Sequence, residues 1–277
     1  MNQKCIIGYG ILGKKFFEAL SLKQKIKVFN RSKKKLKNLK TYQKFNSIDD
    51  VFKRCNIIIF LVKNEEAIKF YFDKLTDKKL LKNKVFVNLS TISHLYSKKF
   101  DKFAKSYNSQ WIECPTLGNP EALAKRNMPF LYAGKKNKEV INMLKMVGSI
   151  KYFNKIEVPQ ILKIIHNTIC ANIMICMADA FLISKKNKIK NKYLIDMLLN
   201  SGFVSPLVKN KIIKFKKGFS ISFSYSNMLK DLKIYNQSKF NYSEILPHIY
   251  KIFKKYNKKT ENKDSSFIIQ KIMNKQC

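Results

Sequence analysis

The sequence predicts an α/β protein in which a doubly wound parallel sheet over residues 1–156 is followed by an all-helical domain over residues 157–277. Two observations predict this class. In the first half, short apolar runs alternate with segments of helical spacing, which is the pattern of βαβ units. From about residue 157 the strand-like runs stop and only helical patterns follow. We expect one long helix to join the two domains.

The predicted strands are continuous apolar runs, as expected where a parallel sheet is buried on both faces. They are 4–7, 26–29, 56–62, 84–89 and 109–113, and 130–134 is a candidate for one more. Three segments of helical spacing lie between the earlier strands, at 11–20, 47–55 and 65–75.

The helical half begins with one long pattern over 157–184, which has Pro159 in its first turn, where proline is tolerated. Its longest uncharged stretch has 15 residues, from 164 to 178. A bilayer span needs about 20 predominantly apolar residues, so we expect a buried helix. Further helical patterns cover 191–200, 223–240 and 243–256.

The formal net charge of +38 invites a nucleic-acid or membrane-surface partner. However, only Arg31, Arg54 and Arg126 of the 56 basic residues are arginines, and proteins that bind phosphates or base edges depend on arginine. The lysines are spread along the chain. Because Lys, Asn and Ile are abundant together, we attribute the charge to AT-rich codon usage and expect neither a nucleic-acid nor a membrane partner.

Cysteine and histidine spacing predicts no metal site. The six cysteines form no CxxC pair, and His94, His166 and His248 are far apart in sequence. We therefore expect reduced thiols without zinc or a disulfide frame. The first residues lead directly into an apolar strand, so we expect no signal or transit peptide and a cytoplasmic location.

The sequence GYGILG places Gly8, Gly10 and Gly13 in a G-x-G-x-x-G pattern directly after the first predicted strand. In such a motif the first glycine permits a tight turn, the second lets the backbone approach a pyrophosphate, and the third allows close packing of helix and strand. The helix that starts at Ile11 and Leu12 offers N–H groups to that phosphate. The pattern therefore predicts a Rossmann domain that binds a dinucleotide.

The second predicted strand ends in Asn30-Arg31-Ser32, and the next carboxylate is Asp49. NAD-binding folds usually have an acidic residue at this strand end, where it binds the ribose 2′-hydroxyl. Arg31 can instead form charge-assisted bonds to a 2′-phosphate, with Asn30 and Ser32 as further donors. The lysines at 33–35 are equally well explained as a solvated basic face. This strand end predicts NADP(H) in preference to NAD(H).

Six motifs in order resemble those of one enzyme family: GYGILG, FNRS, NLSTIS (88–93), ECPTLGNPEA (113–122), LKIIHN (162–167) and MLKDL (228–232). Over nearly its full length the chain resembles the β-hydroxyacid dehydrogenases, which include 3-hydroxyisobutyrate dehydrogenase and glyoxylate/succinic semialdehyde reductase. The resemblance implies hydride transfer between NAD(P)H and a small carboxylic-acid substrate carrying an aldehyde or keto group. It also implies a homodimer or homotetramer formed through the helical half.

By this resemblance Lys163 is the general acid/base, which protonates the developing alkoxide and requires a pKa lowered by burial. Gln160, Lys163 and Asn167 are spaced at i, i+3 and i+7, so they form one polar stripe on an otherwise apolar helix. The alternative is a lysine that extends from the helix end into solvent. Asn167 is a predicted substrate-binding residue.

The resemblance implies further contacts with the substrate and the cofactor. Ser90 would contact the substrate carboxylate and Thr91 the nicotinamide side, unless they only cap a helix. In the substrate loop, which reads Ser-Gly-Gly in many relatives, only Gly118 is unchanged. Asn119 can still donate a hydrogen bond there, but Leu117 leaves the substrate open. The remaining predicted cofactor contacts are Leu61, Val62, Asn64 and Lys230, where Lys230 could also be an exposed helix residue; His94 is predicted to be a loop residue without a catalytic role.

Two other functions remain open at this point. The charge motivates a nucleic-acid-binding protein that keeps a dehydrogenase fold without its chemistry. Imine reduction on the same fold is the other alternative, and Lys163 argues against it because imine reducers usually lack this lysine.

Overall fold

The computed structural model describes residues 3–202, 206–217, 221–237, 243–258, 260 and 262–274. The chain forms two compact units, Met1–Lys163 and Ile164–Cys277. The point of division lies inside one long helix, a few residues after its start.

The first unit contains a seven-stranded sheet whose strand order is β2-β1-β3-β4-β5-β6-β7. The strands are β1 (Gln3–Ile7), β2 (Ile26–Phe29), β3 (Cys55–Phe60), β4 (Val85–Asn88), β5 (Gln110–Glu113), β6 (Met128–Ala133) and β7 (Gly148–Phe153). The strands β1 to β5 pair in parallel, β6 runs antiparallel to β5, and β7 is parallel to β6. The predicted class, a doubly wound parallel sheet followed by helices, is confirmed, although β6 and β7 run opposite to the other five strands.

Six helices connect these strands, together with three short 3₁₀ turns. They are α1 (Ile11–Ser21), α2 (Ile48–Arg54), α3 (Glu65–Asp73), α4 (His94–Ser106), α5 (Pro120–Ala124) and α6 (Lys138–Lys145). The prediction that His94 lies in a loop is wrong. His94 is the first residue of α4, and the hydroxyl of Ser93 caps this helix by accepting from the backbone N–H of Leu95 at 3.4 Å.

The sheet has apolar cores on both faces. Successive residues of β1 belong to different cores, since Ile6 packs in one and Cys5 and Ile7 pack in the other. The second core is rich in aromatic rings. Among them, Trp111 stacks on Phe100 with 4.8 Å between the ring centroids. Because both faces are buried, the strands are continuous apolar runs, and this explains why sequence patterns predict them.

Strand β7 is the one strand of this sheet that the sequence does not predict. It lies at the sheet edge, and most of its side chains are exposed or half-exposed. An edge strand needs no continuous apolar run, so GSIKYF carries no strong strand pattern.

In the described residues of the second unit, the regular elements are all helices, joined by loops. The unit contains the greater part of α7 (Val158–Lys186), then α8 (Asn191–Asn200), α9 (Pro206–Lys217), α10 (Tyr225–Gln237), α11 (Ile245–Lys255) and α12 (Phe267–Met273). The helix predicted for 223–240 corresponds to α10, and residues 238–240 lie outside the described residues. Its core is built around large buried side chains such as Phe181, Tyr225 and Phe253.

In the described part of the chain, α7 is the one helix long and apolar enough to cross a membrane by length and composition. Half of its most apolar window is buried inside the protein. Among the described residues, no cluster of three or more His, Cys, Asp or Glu side chains could hold a metal ion.

Candidate active site

The glycine-rich turn after β1 has the geometry that a dinucleotide requires. Gly8 has a φ of +112°, and a Cβ there would collide with the carbonyl oxygen of Leu61. A Cβ on Gly13 would collide with the carbonyl oxygen of Gly8. A Cβ on Gly10, in contrast, would meet no atom within 4 Å. Two glycines therefore permit close packing, and the third leaves open space at the start of α1.

This turn lies where the strand order reverses. The N–H of Gly8 donates to the carbonyl oxygen of Phe29 at 2.9 Å, and the N–H of Leu61 donates to Ile7 at 2.9 Å. The carboxyl ends of β2, β1 and β3 thus meet at one edge, with Leu61 and Val62 directly beside Gly8. Open parallel sheets bind ligands at such a switch point. The α1 N-terminus, which includes Ile11 and Leu12, has N–H groups without partners inside the helix.

The end of β2 brings Asn30, Arg31 and Ser32 to the same edge. Asn30 shapes the loop: its Oδ1 accepts from the N–H of Tyr9 at 2.9 Å, and its Nδ2 donates to the carbonyl of Ser32 at 3.0 Å. The Arg31 guanidinium is 5.4 Å from the ring centroid of Phe70, and Arg31 is exposed. An exposed arginine held over a ring can receive an anion without losing its packing.

Asn64 has a structural role as well as its predicted cofactor role. It is the N-cap of α3, and its Oδ1 accepts from the N–H of Ala67 at 3.3 Å. The capped helix begins with Glu65 and Glu66, and negative charges in a first turn interact favourably with the partial positive charge of the helix N-terminus.

Ser90 and Thr91 follow β4, and neither caps α4, because Ser93 does so. The Ser90 hydroxyl is buried, accepts from the N–H of Val62 at 2.9 Å and donates to the carbonyl of Phe60 at 3.2 Å. It therefore ties the end of β4 to the end of β3. A substrate contact from this hydroxyl would have to replace the bond to Phe60, and its predicted role stays a prediction.

The loop after β5 carries the other predicted substrate residues. The N–H of Leu117 donates to the carbonyl of Pro129 at 3.0 Å, so this amide is already engaged. A Cβ on Gly118 would lie 2.6 Å from the Met128 sulfur, which explains the glycine by packing alone. Asn119 caps α5 through its Oδ1, which accepts from Ala122 at 2.9 Å. The cap uses the side-chain oxygen of Asn119 and leaves its NH₂ group for another partner.

The polar stripe on α7 is buried. Gln160, Lys163 and Asn167 are only 0%, 8% and 4% exposed. This burial argues against the alternative in which Lys163 extends into solvent. In the second unit, Asp231 accepts from the Nδ2 of Asn167 at 2.5 Å and pairs with the Lys230 ammonium at 2.7 Å. Lys230 is therefore not an exposed helix residue, and one buried carboxylate holds two predicted site residues.

Sequence reasoning did not single out Glu113, the last residue of β5, which is fully buried. Burial raises the pKa of its carboxyl to about 7, although hydrogen bonds from Gln160, Trp111 and Asn88 oppose the rise. A signal was present in the sequence: the chain has only 18 acidic residues, and this one directly follows the apolar pair Trp111-Ile112 at the end of a predicted strand.

A family model described as the NAD binding domain of 6-phosphogluconate dehydrogenase matches residues 3–156. The chain belongs to this family. It is accordingly an NAD(P)-binding oxidoreductase, and the predicted resemblance to hydroxyacid dehydrogenases is confirmed at the level of family and fold.

Individual relatives are more distant. The chain is 24% identical to an uncharacterized oxidoreductase, YfjR, from Bacillus subtilis (strain 168), over 83% of this chain and 84% of the relative. The structure of Mycobacterium tuberculosis 3-hydroxyisobutyrate dehydrogenase with L-serine is similar with a TM-score of 0.82 at 17% identity, over 98% and 99% of the two chains. Psf3 in complex with NADP+ and 2-OPP is similar with a TM-score of 0.84 at 18% identity, over 97% and 99%. At these identities the structures show a shared fold.

Proposed function

We propose that the protein interconverts a small semialdehyde or keto acid and the corresponding hydroxy acid by hydride transfer from and to NADP(H), with Lys163 as the general acid and base. The observation that carries this proposal is the burial of Lys163, which is 8% exposed on the first turns of α7. A lysine is seldom buried without a chemical or structural reason. The similarity to a 3-hydroxyisobutyrate dehydrogenase supports the substrate class.

The chemistry divides between cofactor and chain. When bound, NADPH supplies the hydride. The ammonium of Lys163 holds a proton at Nζ and donates it to the oxygen that becomes an alkoxide; in the reverse direction the neutral amine removes that proton. Thr91 would contact the nicotinamide side, and Ser90, Gly118, Asn119 and Asn167 would orient the acid.

The preference for NADPH rests on the end of β2. Arg31 offers an exposed guanidinium beside the glycine-rich turn, and no acidic residue lies between positions 30 and 48. A 2′-hydroxyl therefore lacks its usual acceptor there, whereas a 2′-phosphate gains a cation. That Psf3 was solved with NADP+ supports the same choice. Lys230 and Asn64 would complete the cofactor contacts.

We further propose that the protein is cytoplasmic and forms a homodimer or homotetramer. Light scattering on the purified protein would test the oligomeric state. The nucleic-acid alternative has no support from the fold or from the relatives.

The test is turnover by purified protein with glyoxylate and with succinic, tartronic and methylmalonic semialdehydes, each measured with NADPH and with NADH. We expect turnover of at least one of these acids and a higher kcat/KM with NADPH. Absence of turnover with all of them would contradict the substrate class, and a preference for NADH would contradict the cofactor assignment.

A further inference from the structure

Three polar side chains form a fully buried cluster at the carboxyl ends of β4 and β5. They are Asn88, Glu113 and Gln160, all of which are 0% exposed. They come from three different elements, because Asn88 ends β4, Glu113 ends β5 and Gln160 lies in the first turn of α7. We refer to them as the amide–carboxyl cluster.

Glu113 is the centre of this cluster. Its Oε2 accepts from the Nδ2 of Asn88 at 2.9 Å and from the Nε2 of Gln160 at 2.6 Å. Its Oε1 accepts from the indole N–H of Trp111 at 2.7 Å. Three donors therefore converge on one carboxyl group.

The two amides of the cluster also hold the segment 90–92. The N–H of Ser90 donates to the Oδ1 of Asn88 at 3.0 Å, and the N–H of Ile92 donates to the Oε1 of Gln160 at 3.1 Å. The carbonyl of Ser90 accepts from the Nε2 of Gln160 at 2.9 Å and from the Nδ2 of Asn88 at 3.2 Å. This segment contains Thr91, and the helix that carries Gln160 also carries Lys163 one turn later.

The carboxyl group dictates which way both amides face. Above about pH 7 the carboxyl is ionised. An ionised carboxylate only accepts hydrogen bonds, so the NH₂ groups of Asn88 and Gln160 must then point toward Glu113. Their oxygens are then directed to the N–H groups of Ser90 and Ile92. A residue at 113 that could also donate would remove this constraint and would allow either amide to turn over.

We propose that Glu113 is a positioning residue of the reaction: by orienting the amides of Asn88 and Gln160, it fixes the segment 90–92 against the first turn of α7 and so sets the placement of Lys163 relative to Thr91. This inference rests on the proposed function for its catalytic consequence. The hydrogen-bond cluster itself does not depend on it.

The primary test is the variant Glu113→Gln, which keeps the size of the side chain but introduces donors. Because a small misplacement of reacting groups has a large effect on rate, we expect kcat to fall about 10-fold or more. The dissociation constant for NADPH, measured by fluorescence, should stay within about 2-fold, since the glycine-rich turn is untouched. In a Gln160→Met background, Glu113→Gln should lower kcat by less than about 2-fold, because coupled residues are not additive.

Trp111→Phe is the matched control. It removes a hydrogen bond to the same carboxyl group, but Trp111 has no bond to the segment 90–92. We expect this variant to lose stability and to keep its kcat within about 2-fold. An equal loss of kcat in Trp111→Phe and Glu113→Gln would overturn the positioning role. Should Glu113→Gln not fold, Glu113→Asp keeps the charge at a shorter reach, and an unchanged kcat in that variant would also overturn the role.

Hydrogen exchange separates this inference from the proposed function, since it requires no turnover. The amides of Ser90 and Ile92 should be protected in the wild type and exchange about 10-fold faster in Glu113→Gln. The amide of Leu89, which donates to the carbonyl of Phe60, should be unaffected. Unchanged protection of Ser90 and Ile92 would overturn the inference, whereas faster exchange without turnover in the wild type would contradict the proposed function alone.

Discussion

The two halves of one sheet edge are built by different means. At the ends of β1 and β2, the shape of the edge is set by the backbone, because Gly8 and Gly13 pack where no Cβ fits. The side chain of Arg31 at this end is exposed. At the ends of β4 and β5, buried side chains hold the backbone, through Asn88 and Glu113. We therefore expect the fold at the glycine-rich turn to tolerate changes in its exposed side chains, and the fold at the ends of β4 and β5 to be sensitive to changes in its buried side chains.

The largest effect is expected at Gly8. In Gly8→Ala the new Cβ collides with the carbonyl of Leu61 and the φ of +112° is strained, so we expect a loss on the order of 3 kcal/mol or more in the free energy of unfolding. Gly10→Ala is the matched control because its Cβ meets open space. It should unfold like the wild type and bind NADPH at least about 10-fold more weakly. Denaturant titration and NADPH fluorescence measure both effects; equal stability of the two variants would contradict the backbone account.

The pH dependence of stability tests the other half of the edge. The Glu113 carboxyl has a pKa of about 7 in the folded chain against 4.5 as its ordinary value, because burial disfavours the charge. Between these values the folded state binds a proton that the unfolded state has lost, so stability is fully present below about pH 4.5 and falls as pH rises through about 7. Over this pH range the free energy of unfolding should fall by about 3 kcal/mol.

Urea denaturation of wild type and Glu113→Gln at about pH 5 and about pH 8 measures this difference. The variant lacks the titrating group, so between the two conditions the free energy of unfolding of the wild type should fall by about 3 kcal/mol relative to that of the variant. A difference that is independent of pH would mean that Glu113 is ionised throughout.

Arg31→Ala should weaken NADPH binding by about 10- to 100-fold and change NADH binding by less than about 2-fold, because a charge-assisted bond to the 2′-phosphate is lost. Two controls sharpen the result. Arg54→Ala removes an exposed arginine from the end of α2, and Lys34→Gln removes a charge from the adjacent basic run. Each should alter NADPH binding by less than about 2-fold. Equal weakening of both cofactors by Arg31→Ala would contradict the assignment.

A smaller effect is expected at Asn30, which joins the end of β2 to the glycine-rich turn through its bond from the N–H of Tyr9. Asn30→Ala should lower the free energy of unfolding by about 1 kcal/mol. Asn30→Asp keeps the accepting oxygen and should recover most of that loss. If both variants were equally destabilised, the hydrogen bond to Tyr9 would not be the cause.

The two halves also differ in how far the sequence predicts them. The glycine motif was found because three of eight glycines fall within six residues, after a continuous apolar run. The strands β1 to β6 were predicted to within about two residues for the same reason of burial on both faces. In the amide–carboxyl cluster, Gln160 is 47 residues from Glu113, and Asn88 is 25 residues from it. No spacing rule relates such positions, so only the folded chain brings them together.

In the proposed reaction Lys163 transfers the proton, and a comparison with a second buried lysine measures this role most directly. Lys84 is as buried as Lys163, at 8% exposed, but lies at the amino end of β4, where its ammonium donates to the carbonyl of Cys55 at 2.9 Å. With an acid that the wild type turns over, we expect Lys163→Met to lower kcat by about 100-fold or more with unchanged NADPH affinity. Lys84→Met should keep kcat within about 2-fold and lose only stability. Equal rates for the two variants would contradict the role of Lys163.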